Sequence, residues 1–262
     1  MTSLRLDKAL ADAGLAPSRQ RAQALVMAGE VRVNGETERR PDRNVAASDR
    51  LELSTDERWA SRGALKLLPV LAELGVEVEG RVCADIGAST GGFTDVLLRR
   101  GAARVFAVDV GRGLIDWRLR QDPRVMLLER TNARDLEGFA EPVSLVVVDV
   151  SFIGLEKVLP AVRRSAPAAQ VVALFKPQFE VGREQVGKGG IVRDAEAVAA
   201  ARASFEEWCA ANGYGVAGQA PAGVAGADGN QEFFYLLEPK AGGSRGGRAL
   251  PDPGDRGGSP SK

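Results

Sequence analysis

Three aspartates and a lysine stand in or just after short apolar runs. Asp85 lies within Val82-Cys83-Ala84-Asp85-Ile86, Asp109 follows Arg104-Val105-Phe106-Ala107-Val108, Asp149 follows Leu145 to Val148, and Lys176 follows Gln170 to Phe175. A lysine in such a place can orient an acceptor hydroxyl through a hydrogen bond, or take its proton if burial or neighbouring cations depress its pKa. Acidic groups there suit a cationic or hydroxyl-bearing ligand. The chain contains 0 His. That excludes a Ser-His-Asp triad, a Cys-His pair, His-ligated zinc and any imidazole base, and no metal site is expected. Chemistry must run on Lys, Asp, Glu, hydroxyls and a bound cofactor.

The loop after the first run, Gly87-Ala88-Ser89-Thr90-Gly91-Gly92-Phe93, limits the choice of cofactor. Gly87 and Gly92 have the G-x4-G spacing, but Phe93-Thr94 stands where a phosphate-binding loop needs Lys-Ser/Thr. Ala88-Ser89 likewise breaks the G-x-G-x-x-G dinucleotide pattern. What remains is an acidic residue before a glycine-rich turn and a second, Asp109, placed to accept hydrogen bonds from ribose hydroxyls. S-adenosylmethionine, with its amino group, ribose and sulfonium, fits that pair and is the expected cofactor. Asp149 has a second reading, as a helix N-cap for the segment near Gly154. Taken singly, Lys66 reads as a solvated helix residue and Glu232, opening a final strand, as an exposed edge charge.

These residues need a scaffold to bring them together. From Arg58 to about Lys240 the apolar runs alternate with helical patterns, the mark of a parallel sheet covered on both faces, with ligands past the carboxyl ends of the strands. Ahead of this body, Leu6, Ala9, Leu10 and Ala13 recur at helical spacing with Gly14 as a stop. Ser18 then caps a second helix that Gly29 ends, and Val31-Arg32-Val33 runs into an Asn34-Gly35 hairpin turn. Leu51-Glu52-Leu53 reads as a closing strand. Arg5, Arg19 and Arg21 gather at the helix starts, where guanidinium and backbone N–H groups can meet phosphate. From about Ala241 the chain is dominated by Gly, Pro, Ser and charge, and disorder is expected there.

Composition sets bounds on partners and place. The chain has 262 residues, with Lys+Arg 35 against Asp+Glu 35 and a net charge of +0. Any RNA contact must therefore come from local patches, and no DNA partner is expected. Residues 1–50 hold nine Lys+Arg and seven Asp+Glu, only a mild excess of cations. Cys83 and Cys209 sit in apolar surroundings that suit a reducing cytosol. No signal-peptide run or membrane-length apolar stretch is read, so a cytoplasmic protein without membrane association is expected.

Two resemblances sharpen these expectations. The stretches Arg5-Leu6-Asp7-Lys8-Ala9-Leu10, Ser18-Arg19-Gln20-Arg21-Ala22 and Gly29-Glu30-Val31-Arg32-Val33-Asn34-Gly35 resemble the S4-like RNA-binding domain. Residues 58 to 240 are similar to the FtsJ-type 2′-O-ribose methyltransferases, whose Lys, Asp, Lys, Glu set would here be Lys66, Asp149, Lys176 and Glu232. The motifs S-R-G-A-x-K, D-I-G-A-S-T-G-G-F-T, V-D-V-G, L-E-R-T-N, D-V-S-F-I and F-K-P-Q-F-E-V-G together resemble the TlyA (hemolysin A) family. That likeness implies an α/β, Rossmann-like class I S-adenosylmethionine-dependent methyltransferase with a small N-terminal α+β S4-like domain. The implied divisions are 1–58, 59–240 and a disordered tail, 241–262.

The implied activity is 2′-O-methylation of cytidine in 16S or 23S ribosomal RNA, with ribosomal RNA or ribosomal subunits as partners. By the same likeness Asp85, Gly87, Ser89, Thr90, Gly91, Gly92, Asp109, Asn132 and Phe152 would line the cofactor pocket. Lys176 would act on the hydroxyl, with Lys66, Asp149 and Glu232 tuning its charge, while Arg5, Arg19, Arg21 and Arg62 would meet RNA. Pro69, three residues past Lys66, is expected to break or kink its helix. Residues 182–192 either close over the target nucleotide or form a mobile surface connection. Three alternatives have less support: an S4-linked pseudouridine synthase, a binding-only assembly factor, and a hemolysin, for which no membrane-inserting segment is read.

Overall fold

A computed structural model describes residues 4–53, 59–224, 226 and 229–240. The expected tail falls outside them. The chain divides into two compact units, Met1–Arg58 and Trp59–Lys262.

In the first unit β1 (Leu4–Arg5) leads into α1 (Leu6–Asp12), and α2 (Arg19–Ala28) follows. Strands β2 (Val31–Val33), β3 (Glu36–Glu38), β4 (Asn44–Val45) and β5 (Leu51–Leu53) complete the unit. The local signals act as their chemistry predicts. Ser18 Oγ accepts from Arg21 N at 3.2 Å, and Gly29 ends α2 at φ +77°. Asn34 and Gly35 take φ +54° and +86°, the left-handed pair a tight hairpin needs between β2 and β3. β2 also pairs with β5. Leu6, Leu10, Ala22, Val26, Val31 and Val33 close a small apolar core.

The second unit opens with α3 (Ala64–Glu73) and β6 (Val82–Ile86). It continues through α4 (Gly92–Arg99), β7 (Arg104–Asp109), α5 (Trp117–Gln121), β8 (Val125–Glu129) and β9 (Leu145–Val148). After these come α6 (Leu159–Ser165), β10 (Gln170–Phe175), α7 (Pro177–Glu180), α8 (Ala195–Ala211), β11 (Tyr214–Pro221) and β12 (Phe233–Pro239). The sheet order is β11-β12-β10-β9-β6-β7-β8. Strands β6 to β10 are parallel, as expected, whereas β12 runs antiparallel to β10 and β11 antiparallel to β12. The sequence reading missed β8 and β11 and the antiparallel hairpin. β11 mixes polar and small residues with apolar ones and does not read as a continuous apolar run, whereas β8 is a four-residue apolar run, Val125 to Leu128, ended by Glu129. Two apolar clusters, one on each face, bury β6, β9 and β10 between helices. No helix among the described residues is long and apolar enough to cross a membrane.

The order in which strands are added reverses at β6, with β7 on one side and β9 on the other. At that switch point the loops after β6 and β9 diverge and leave a crevice. They touch at their base, since a Cβ on Gly87 (φ +89°) would lie 2.3 Å from the Asp149 carbonyl oxygen. Only glycine permits both that backbone angle and that approach.

Pro69 does not break α3, which runs through it and keeps Lys66 in its first turn. Leu65, whose carbonyl loses its N–H partner to the proline, is 44% exposed, and Pro69 is exposed beside it. Water can satisfy that carbonyl, so the lost bond is cheap on this face.

Candidate active site

A cavity of about 290 Å³ opens at the switch point. Its wall includes Ser61, Arg62, Lys66, Asp85, Ser89 and Asp149. Asp85 is fully buried, and its Oδ2 accepts from Thr94 N at 2.9 Å and Thr94 Oγ1 at 2.7 Å. Its Oδ1 is buried with no partner. Burial pushes the Asp85 carboxyl up to about 7, because desolvation outweighs the Thr94 hydrogen bonds and the nearby Asp149 charge adds to the rise. A carboxylate oxygen held in this way is destabilising unless a cationic ligand completes it.

Gly87, Ser89, Thr90 and Gly92 lie in the same wall. Gly91 (φ +93°) caps α4, and Ser89 itself takes φ +48°. The turn aims Ser89 N at Asp109 Oδ2 (2.8 Å), while Gly111 N meets Asp109 Oδ1 (2.7 Å). Each Asp109 oxygen keeps acceptor capacity for a hydroxyl. Next to Asp109 lies a small hollow lined by Ala88, Leu114, Ile115 and Leu127 together with Glu129. Leu114 and Ile115 were not read as site residues, since apolar side chains in a loop carry no chemical signature. These features fit S-adenosylmethionine: an unpaired buried oxygen for an ammonium and a doubly anchored carboxylate for a ribose.

The four remaining polar residues form two ion pairs. Lys176 Nζ stands 2.6 Å from Asp149 Oδ1, a charge contact outside hydrogen-bond alignment, and donates to Ser151 Oγ at 3.0 Å. Lys66 Nζ donates to Glu232 Oε2 at 2.5 Å. Glu232 is 2% exposed and Lys176 7%, so both charges depend on their partners. Glu232 is thus buried rather than an exposed edge charge, because β12 is inserted between β10 and β11. Asp149 faces Lys176, and its reading as a helix cap fails: the Gly154 cap position has no side-chain cap bond. Ser151 was not foreseen, its hydroxyl being one of many in the sequence.

Several expected residues lie elsewhere. Asn132 Oδ1 caps the turn Ala133–Asp135 through Arg134 N (3.1 Å) and is not in the cavity wall. Phe152 also lies outside the wall. It is 91% exposed at φ +65°, with its ring 5.3 Å from that of Phe179. Arg62 lines the cavity itself. In the first unit Arg5 Nη2 and Arg19 Nε reach the buried Asp7 Oδ2 at 3.0 and 3.1 Å, and Gln23 Nε2 reaches it at 2.7 Å. The Arg5 bond, followed by those of Gln23 and Arg19, holds the Asp7 carboxyl far below the usual range despite its burial. These two arginines are therefore anchored from within, with side chains still 45% and 54% exposed. Arg21 lies in the first turn of α2 and is half-buried.

Comparison with known proteins agrees with this arrangement. A family model described as FtsJ-like methyltransferase matches residues 59–238, and one described as S4 domain matches residues 4–51. The chain is 47% identical over 238 residues to a Mycobacterium tuberculosis protein named 16S/23S rRNA (cytidine-2′-O)-methyltransferase TlyA, covering 89% of each. It is 37% identical to the Campylobacter jejuni 23S rRNA (cytidine-2′-O)-methyltransferase TlyA, covering 73% of this chain and 76% of that one. A solved structure from Streptococcus thermophilus, described as a hemolysin, superposes with a TM-score of 0.68 at 41% identity over 92% of this chain and 90% of that one. The paired-ion site at the switch point thus sits in a chain that belongs to the FtsJ-like methyltransferase family, in its TlyA branch with an N-terminal S4 domain.

Proposed function

We propose that this protein transfers a methyl group from S-adenosylmethionine to the 2′-hydroxyl of a cytidine in ribosomal RNA, in 16S or 23S RNA or both. The observation that carries this reading is the pair of ion pairs, Lys176–Asp149 and Lys66–Glu232, with Lys66 and Asp149 in the wall of the cavity that holds the unpaired Asp85 oxygen. The names of the relatives support the choice of ribosomal RNA and of cytidine.

When bound, the cofactor would supply an electrophilic methyl on its sulfonium. Asp85 would hold its amino group, Asp109 its ribose, and the Gly87–Gly92 turn would let the backbone come close. Lys176 is the group we assign to the acceptor oxygen. An ammonium has three donors; Ser151 takes one and the Asp149 carboxylate stands by as the counter-charge, leaving a donor for the hydroxyl, whose oxygen gains the methyl while its proton passes to solvent. Glu232 and Lys66 neutralise each other, and of the two Lys66 lines the cavity. Arg5, Arg19 and Arg21 of the S4 unit, with Arg62 of the methyltransferase unit, would contact RNA phosphates, and exposed Phe152 would offer a ring for a base to stack on.

The test is transfer of labelled methyl to isolated ribosomal subunits, with Lys176→Ala alongside. The expected result is one alkali-resistant 2′-O-methylated cytidine. Lys176→Ala should lower the rate by about 10²- to 10⁴-fold with cofactor affinity retained. No transfer to either subunit despite cofactor binding would overturn the ribosomal assignment.

A further inference from the structure

Asn230, two residues before Glu232, is only 3% exposed and uses both ends of its side-chain amide on one loop. Its Nδ2 donates to Gly190 O at 2.8 Å, and its Oδ1 accepts from Val192 N at 2.9 Å. The loop is closed on itself by Gly187 N donating to Ile191 O at 3.0 Å. On its other side the Asn230 carbonyl accepts from Gly226 N at 2.9 Å. The Glu232 carboxylate lies against Gly226, its Oε1 2.5 Å from where a Cβ would stand. One buried amide thus ties the loop 187–192 to the segment that carries Glu232, the partner of Lys66.

The fastened loop is also the wall of a second hollow. A groove of about 350 Å³ runs along α8, and its lining includes Pro177, Val192, Arg193, Arg202, Asn230 and Gln231. Pro177 adjoins Lys176 and Gln231 adjoins Glu232, so the groove borders both ion pairs along the chain. Arg193 is exposed and has no ion-pair partner among the described residues. A guanidinium without an ion-pair partner among the described residues, on the wall of this groove and next in the chain to the fastened Val192, suits a phosphodiester oxygen.

We propose that Asn230 is a positioning residue for the transfer: it fixes the loop so that Arg193 receives the phosphodiester next to the target ribose. This rests on the ribosomal RNA reading above and extends it to the strand that flanks the target. Holding the acceptor strand in register is worth much in rate, since a misplacement of about 1 Å can lower turnover by about 10²-fold.

The experiment is a double-mutant cycle of Asn230→Ala and Arg193→Ala in the full chain, measured by methyl transfer to ribosomal subunits. Hydrogen exchange at the Val192 amide and cofactor affinity are measured in parallel. Asn230→Ala is expected to expose the Val192 amide and lower kcat/KM for RNA by about 10- to 100-fold, leaving cofactor affinity within about twofold. Arg193→Ala is expected to lower it about tenfold alone and to add little in the Asn230→Ala background, because the loop is then already free. Asn230→Asp, which keeps the acceptor for Val192 N but loses the donor to Gly190 O, should fall between. Additive effects, wild-type kcat/KM in Asn230→Ala, or a loss of cofactor affinity in step with rate would overturn the positioning role. Absence of transfer by the wild-type protein would instead overturn the ribosomal reading on which the role depends.

Discussion

Replacing Asp85 with Asn should stabilise the unliganded protein while weakening cofactor binding. Folding raises this carboxyl from 3.8 to about 7. A rise of about three units corresponds to about 4 kcal/mol at about 1.4 kcal/mol per unit. The folded state therefore binds the proton more tightly than the unfolded chain does. Asp85 does no harm below about pH 4, reduces stability progressively as pH rises towards about 7, and then does so by a constant amount. Asn keeps the oxygen that Thr94 N and Oγ1 use and carries no charge. In urea denaturation at about pH 8, Asp85→Asn should be more stable than wild type by up to about 4 kcal/mol, and the gap should narrow by about 2 to 3 kcal/mol at about pH 5. Glu180, also pushed up to about 7 by burial, titrates in both proteins and cancels in the difference. Calorimetry should show cofactor affinity about ten- to a hundredfold lower in the variant, the worth of one charge-assisted hydrogen bond. A gap independent of pH, or a variant less stable than wild type at about pH 8, would refute the burial argument. Unchanged cofactor affinity would refute the assignment of Oδ1 to the ammonium.

Other outcomes follow from the same geometry. Lys66→Met should destabilise the protein by about 3 to 5 kcal/mol, since it strands Glu232 at 2% exposure, and adding Glu232→Gln should recover much of the loss. Thermal and urea denaturation of the single and double variants decide this, and a double variant no better than Lys66→Met counts against it. Gly87→Ala would place a methyl 2.3 Å from the Asp149 carbonyl oxygen at a backbone angle of +89°. A loss of about 1 to 3 kcal/mol and a displaced Asp149 loop are expected, read as lower stability together with lower turnover.

Much of this site was legible in the sequence because its signals are local. β7, β9 and β10 are short apolar runs with a charged residue at or just past the end, β6 carries its aspartate one residue before the end, and the Gly87–Gly92 turn needs glycine where φ is positive and backbones meet. Sequence alone therefore located the switch-point crevice and put Asp85, Asp109, Asp149 and Lys176 at or near strand ends, and in the first unit it located the Ser18 cap, the Gly29 stop and the Asn34-Gly35 hairpin. The family motifs added Lys66 and Glu232, which carried no signal of their own.

Tertiary structure decided what depends on distant partners. Lys66 and Glu232 are 166 positions apart, and each reads as a surface charge until the antiparallel β12 buries one beside the other. Ser151, Leu114 and Ile115 gain their roles only from what lies opposite them. Phe152 and Asn132 moved out of the cavity wall for the same reason: position in a motif gives the order along the chain, while the turn at φ +65° and the Asn132 cap set where the side chains go. Pro69 is a strong local breaker that the fold tolerates because its face of α3 meets water. Periodicity and turn chemistry are properties of neighbouring residues, so a sequence displays them. Burial, ion pairing and side-chain direction arise from residues that folding alone makes neighbours.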